Sequence, residues 1–131
     1  MNCVKVFFAA PLFNEAERAF NSQIAEKLRE NGFKVWLAQE APFIQHSNHM
    51  EKRMIYEGDI LALKTSDIVV AVLDGAEVDA GVAYEMSYAK ALGKTIVGFK
   101  TDYRTFSGMD DVNLMLTVSA SDRSIDLVIS F

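Results

Sequence analysis

Ser66-Asp67-Ile68-Val69-Val70-Ala71-Val72-Leu73-Asp74-Gly75, followed after three residues by Asp79-Ala80-Gly81-Val82-Ala83-Tyr84-Glu85-Met86, is the stretch whose reading decides the fold. Asp67 to Leu73 is apolar at odd and even positions alike. A strand of that kind is buried on both faces, as strands of a parallel sheet are when helices cover both sides. Asp74-Gly75 breaks it. The apolar positions that follow predict a helix from about Asp79 to Leu92, capped by Asp79 and stopped by Gly93.

Working outward, the same alternation repeats. Downstream, Lys94 to Lys100 reads as a fourth strand. Upstream, a helix is predicted from about Asn48 to Lys64, preceded by a loop from Gln39 to His49. Phe33 to Ala38 reads as the second strand. Before it, Asn14 can cap a helix whose apolar positions include Ala16, Ala19, Phe20, Ile24, Ala25 and Leu28, stopped by Asn31-Gly32. Val4 to Ala10 reads as the first strand, closed by Pro11. A last strand is predicted at Leu127 to Phe131. The order β-α-β-α-β-α-β plus a tail is an α/β domain with a doubly wound parallel sheet of about five strands and helices on both faces. In such sheets ligands bind beyond the carboxyl ends of the strands. Chemistry is therefore expected from Ala9 to Asn14, Gln39 to Phe43, Asp74 to Glu85, and from Thr101 onward.

Composition narrows the function. The chain has 131 residues, a net charge of −5, 50% hydrophobic residues and 24% charged ones. That is a single domain spanning 1–131 with enough apolar surface for a core. The negative balance argues against a nucleic-acid polymer as partner. One cysteine, Cys3, makes no disulfide framework and no cysteine-cluster zinc site. No apolar run approaches the roughly 18 residues of a membrane helix. The N-terminal residues enter the first strand with no signal-peptide pattern, so a cytoplasmic protein is expected.

Several mechanisms lack their motifs. The first post-strand loop, Ala9-Ala10-Pro11-Leu12-Phe13-Asn14, has no glycine-rich dinucleotide pattern, and no phosphate-binding loop motif occurs in the chain. His46 and His49 are three apart, a spacing open to metal binding, but a surface or capping role is the expectation. The acidic residues carry more. Asp59 follows Gly58 inside a predicted helix, where glycine costs about 1 kcal/mol, so a close approach of some other group is expected there. Asp74, Asp79 and Glu85 gather at the third strand end and the helix after it. Asp79 is explained by helix capping alone. Glu85 lies among apolar neighbours, where a carboxylate is costly unless paired, hydrogen-bonded or used; an outward-facing, solvated glutamate is the alternative.

Together with Val6-Phe7-Phe8-Ala9-Ala10-Pro11-Leu12-Phe13-Asn14, Asp59 and Asn113-Leu114-Met115, that stretch resembles the nucleoside 2-deoxyribosyltransferase family, in order and over nearly the whole chain. The resemblance implies a flavodoxin-like fold and exchange of the base on a 2′-deoxynucleoside, without cofactor or metal. Glu85 matches the family's nucleophile, which forms a covalent deoxyribosyl ester in a retaining double displacement. Asp59 matches the aspartate that exchanges a proton with the base, and Asp79 the residue that binds sugar hydroxyls. Asn113 and Met115 match residues contributed by a neighbouring subunit, which implies a homo-oligomer with a shared site. Phe7 stands where the family usually has a tyrosine touching the nucleophile. Phe13 and Gln39 are further candidates for substrate contact at the ligand edge. Two alternatives remain: an N-glycosidase hydrolysing deoxynucleosides or their 5′-monophosphates, and a non-catalytic nucleoside-binding module. A carboxylate at Asp79 would repel a 5′-phosphate and accept a hydrogen bond from a free 5′-hydroxyl.

Overall fold

A computed structural model describes residues 3–41, 48–102, 104 and 112–120. Its elements run β1 (Lys5–Ala9), α1 (Glu15–Glu30), β2 (Lys34–Leu37), a single 3-10 turn (Ala38–Glu40), α2 (His49–Thr65), β3 (Ile68–Val72), α3 (Ala80–Ala91), β4 (Thr95–Phe99) and α4 (Leu114–Ser119). The four strands form one sheet in the order β2-β1-β3-β4, and every pairing is parallel. The expected doubly wound architecture is therefore present. The predicted last strand at Leu127 to Phe131, and with it Phe43, His46 and Met109, lies outside the described residues.

The register explains the continuous apolar runs. Along β1, Phe8 faces α1 and packs with Ile24, Ala25, Leu37 and Phe99. Phe7 and Ala9 face the other way, into a cluster with Leu63, Val69, Met86 and Ile96. Each parity of the strand meets its own helical layer, so neither face tolerates polar residues.

The helix boundaries follow local chemistry. Asn14 accepts from the Glu17 N–H, and Asn31 ends α1. Asn48 and Glu51 form a reciprocal capping box at the start of α2. Helix α4 is not among the elements predicted from the sequence; Asn113 is its N-cap. Its Oδ1 accepts from the Met115 N–H at 2.9 Å, which caps this six-residue helix against α3. Among the described residues no helix is long and apolar enough to cross a membrane.

Chain direction turns at the sheet centre. From β1 the chain crosses to β2 on one side, then returns to β3 on the other. The crevice between the carboxyl ends of β1 and β3 is thus the switch point. Helices α2 and α3 flank it, and the hydroxyls of Tyr56 and Tyr84 stand 2.7 Å apart, tying one helix to the other.

Candidate active site

A cavity of about 450 Å³ opens at that switch point. Asp59 from α2, and Asp79 and Glu85 from α3, all line it. Asp79 is the N-cap of α3, and its Oδ2 accepts from the Gly81 N–H at 3.0 Å and the Val82 N–H at 3.2 Å. A side chain at position 81 would crowd this arrangement, since a Cβ there would lie 3.1 Å from the Asp79 carboxyl. Capping therefore uses one oxygen of Asp79, and Oδ1 takes no hydrogen bond among the described residues.

Glu85 follows six residues later, on the face of α3 turned toward the crevice. Glu85 is partly buried, its carboxyl opens onto the cavity, and it accepts no hydrogen bond from the described residues. Burial, followed by the negative charges of Asp59 and Asp79, pushes its pKa up to about 8. Asp59 is raised as well, mainly by burial, while the Trp36 indole N–H, 3.4 Å from Oδ1, pulls the other way. At pH 7 these carboxyl groups are therefore not all ionised, the condition under which one can hold a proton while another is free.

The remaining sequence candidates divide. Phe13 stands at the cavity rim, 72% exposed. Phe7 is fully buried in the core beside Met86 and does not line the cavity, so β1 brings no hydroxyl to Glu85. Gln39 is turned toward α1: its amide nitrogen donates to the Arg18 carbonyl and Ser22 Oγ, and its oxygen accepts from Asn21. It braces the turn after β2 and does not line the cavity. Asn113 and Met115 line a separate hollow of about 410 Å³ with Val78 and Leu116. Asp74, grouped with Asp79 and Glu85 in the sequence, is instead spent on Thr101, accepting from its N–H and its hydroxyl.

Two features of the cavity escaped the sequence reading. Trp36, the one tryptophan of the chain, faces Asp59 from the end of β2; an aromatic N–H donor at a strand's carboxyl end was the signal. Met54 and Ile55, one turn before Gly58, supply the apolar wall on α2. Among the described residues no group of three or more His, Cys, Asp or Glu could hold a metal ion.

A 2-deoxyribosyltransferase from Bacillus psychrosaccharolyticus superposes with a TM-score of 0.76 at 26% identity, covering 89% of this chain and 82% of that one. A 2-desoxiribosyltransferase from Leishmania mexicana superposes at 0.72 and 20% identity, covering 94% and 90%. The Clostridium botulinum CMP N-glycosidase BcmB superposes at 0.58 and 21% identity, covering 83% and 85%. The last two show the shared fold alone. Among curated proteins none matches by sequence. The model of one family, Nucleoside 2-deoxyribosyltransferase, matches residues 6–127. With its carboxyl groups assembled at the switch point of a parallel sheet, the chain belongs to the nucleoside 2-deoxyribosyltransferase family.

Proposed function

We propose that the protein transfers 2-deoxyribose between nucleobases, with Glu85 as the nucleophile. The observation that carries this reading is the position of Glu85: a partner-poor carboxyl at the switch-point cavity, facing two further carboxyl groups. The proton that Glu85 holds at rest passes to Asp59 within the carboxyl set, and the ionised Glu85 then attacks the anomeric carbon as the bond to the base breaks. The leaving base takes a proton from Asp59, whose raised pKa keeps it protonated to higher pH than an ordinary aspartate. The sugar is held as an ester of Glu85. A second base then attacks from the opposite face, returns its proton to Asp59 and frees the Glu85 carboxylate, so configuration is retained. Negative charge around the site also stabilises the positive charge that develops on the sugar ring.

Asp79 supports a nucleoside as substrate. Its Oδ1 is available for a sugar hydroxyl, whereas its charge disfavours a 5′-phosphate beside it. Asn113 and Met115 stand apart from this chain's own cavity, and Leu114, Met115 and Val118 are each about 70% exposed. That supports their serving a neighbouring copy in a homo-oligomer. In this reading the substrates are 2′-deoxynucleosides and free bases, in the cytoplasm, with no cofactor.

The test is chromatographic. Deoxyinosine or thymidine is incubated with excess adenine, with wild type and with Glu85→Ala. Deoxyadenosine from the wild type alone is the expected result. Free base and deoxyribose, whatever base is added, would replace transfer by hydrolysis. No turnover of any nucleoside or nucleotide would leave a binding module.

A further inference from the structure

Among the described residues nothing requires glycine at position 58. It lies within the continuous helix α2, nine residues after the first, where glycine is a poor choice. Its φ is not positive, unlike those of Gly32, Gly75 and Gly93. Among the described residues, a Cβ built on it would meet nothing within 4 Å, so none of them demands close packing. Three ordinary explanations, a left-handed backbone, a crowded contact and a helix end, therefore all fail.

What Gly58 does border is the cavity. Met54 and Ile55, four and three residues earlier on the same helix face, line that cavity with it, and Asp59 is its direct neighbour. Gly58 also borders a second hollow with Trp36, Leu61 and Ala62, and on its cavity side, toward Met54 and Ile55, the missing side chain leaves room beside Asp59. Around it the described walls are apolar: Trp36, Ala38, Ala41, Met54 and Ile55. Trp36 already spends its N–H on Asp59. A wall of this kind suits a wide fused ring, whose faces and edge bury more carbon. It suits a single ring less, because polar atoms occupy most of that ring's perimeter and need partners.

We propose that Gly58 is a specificity-determining residue, leaving beside Asp59 the room that a bicyclic purine base occupies, so that purine 2′-deoxynucleosides are preferred over pyrimidine ones. This rests on the deoxyribosyl-transfer reading of the site and adds to it the class of base. A side chain at position 58 would stabilise the helix and shrink the base subsite together.

The test pairs stability with selectivity. Gly58→Ala and Gly58→Leu are compared with wild type by thermal unfolding, and by exchange rates for deoxyinosine with adenine and for thymidine with cytosine. Gly58→Ala is expected to melt roughly 3–5 °C higher. The wild type is expected to favour the purine pair at least tenfold in kcat/KM, and Gly58→Leu to cut that ratio by roughly tenfold or more. A wild type indifferent to base size, an unchanged ratio in Gly58→Leu, or a lower melting temperature for Gly58→Ala would each overturn the proposal. Calorimetric binding of free adenine and free cytosine separates the two readings. A wild type that prefers adenine, loses it in Gly58→Leu and never exchanges bases retains the size selection while the transfer reading fails. One that exchanges bases without discrimination does the reverse.

Discussion

Glu85 and Asp102 stand toward the same edge of the sheet, and their carboxyl groups are driven in opposite directions. Glu85 is partly buried, faces Asp59 and Asp79, and has its pKa pushed up to about 8. Asp102 is opposed by burial too, but it accepts from Lys100 at 2.6 Å, the Gly75 N–H at 2.8 Å and Arg104 at 2.6 Å, and its pKa is lowered. Lys100 also donates to the Gly75 carbonyl at 3.0 Å. The Asp102 cluster thus ties the loop after β3 to the chain after β4, with Asp74 and Thr101 alongside. The difference teaches that partners, not depth alone, decide what a carboxyl group does. A fully served carboxylate holds loops, and an unserved one is available for chemistry at a cost in stability.

The largest effect expected from breaking this contrast is at Glu85. Glu85→Gln should lower kcat/KM by roughly 10³-fold or more, since the nucleophile is lost. The same change should stabilise the fold at high pH. The folded state holds a proton that the unfolded chain releases above its ordinary value of 4.5, so wild-type stability falls as pH rises from 4.5 to about 8. Glu85→Gln removes that loss. Denaturant unfolding at pH 8.5 should show a gain of about 3 kcal/mol, shrinking toward zero near pH 4.

Asp102→Ala should do the opposite. It leaves the Gly75 N–H without its acceptor and takes from Lys100 its one carboxylate partner among the described residues, and should cost about 2 kcal/mol at pH 7, measured by urea unfolding. The sign of the pH dependence also reverses. A lowered pKa adds stability above the ordinary value of 3.8, and that contribution disappears as pH falls through the folded value. In the variant this acid-side loss should be smaller, and the active-site pH profile should keep its shape.

Two subtler changes sharpen the electrostatics. Asp59→Asn deletes a negative charge facing Glu85, so the ascending limb of kcat/KM against pH should move to lower pH, alongside a reduced rate. Trp36→Phe keeps the ring but removes the N–H from Asp59, the one contact lowering its pKa. The descending limb should then move slightly upward in pH, with little change in melting temperature. A shift of either limb in the opposite sense would show that the proton-holding roles are assigned wrongly.

Much of this was legible in the chain before any coordinates. The caps Asn14, Asn48 and Asp79 act through bonds to backbone N–H groups two or three residues away, and such short-range chemistry is visible in sequence. The apolar runs of β1 and β3 and the helices between them follow from burial on both faces. The grouping of Asp59, Asp79 and Glu85 was also readable, the first through resemblance and the last two through helix spacing. Asp74 and Gln39 could not be separated from that group. Their partners, Thr101 in one case and Arg18, Asn21 and Ser22 in the other, lie 17 to 27 residues away.

By itself, then, the sequence determined the alternation of strand and helix, the caps, the family and the set of acidic residues from which the site is drawn. These depend on periodicity and on neighbours within a few residues. Only the tertiary structure decided which carboxyl groups are left without partners, that Trp36 attends Asp59, that Phe7 belongs to the core, and that Gly58 opens onto the cavity. Each is a matter of what approaches from another strand or helix. Solvation and charge act through space, so a carboxyl group takes its role from the groups the fold sets around it.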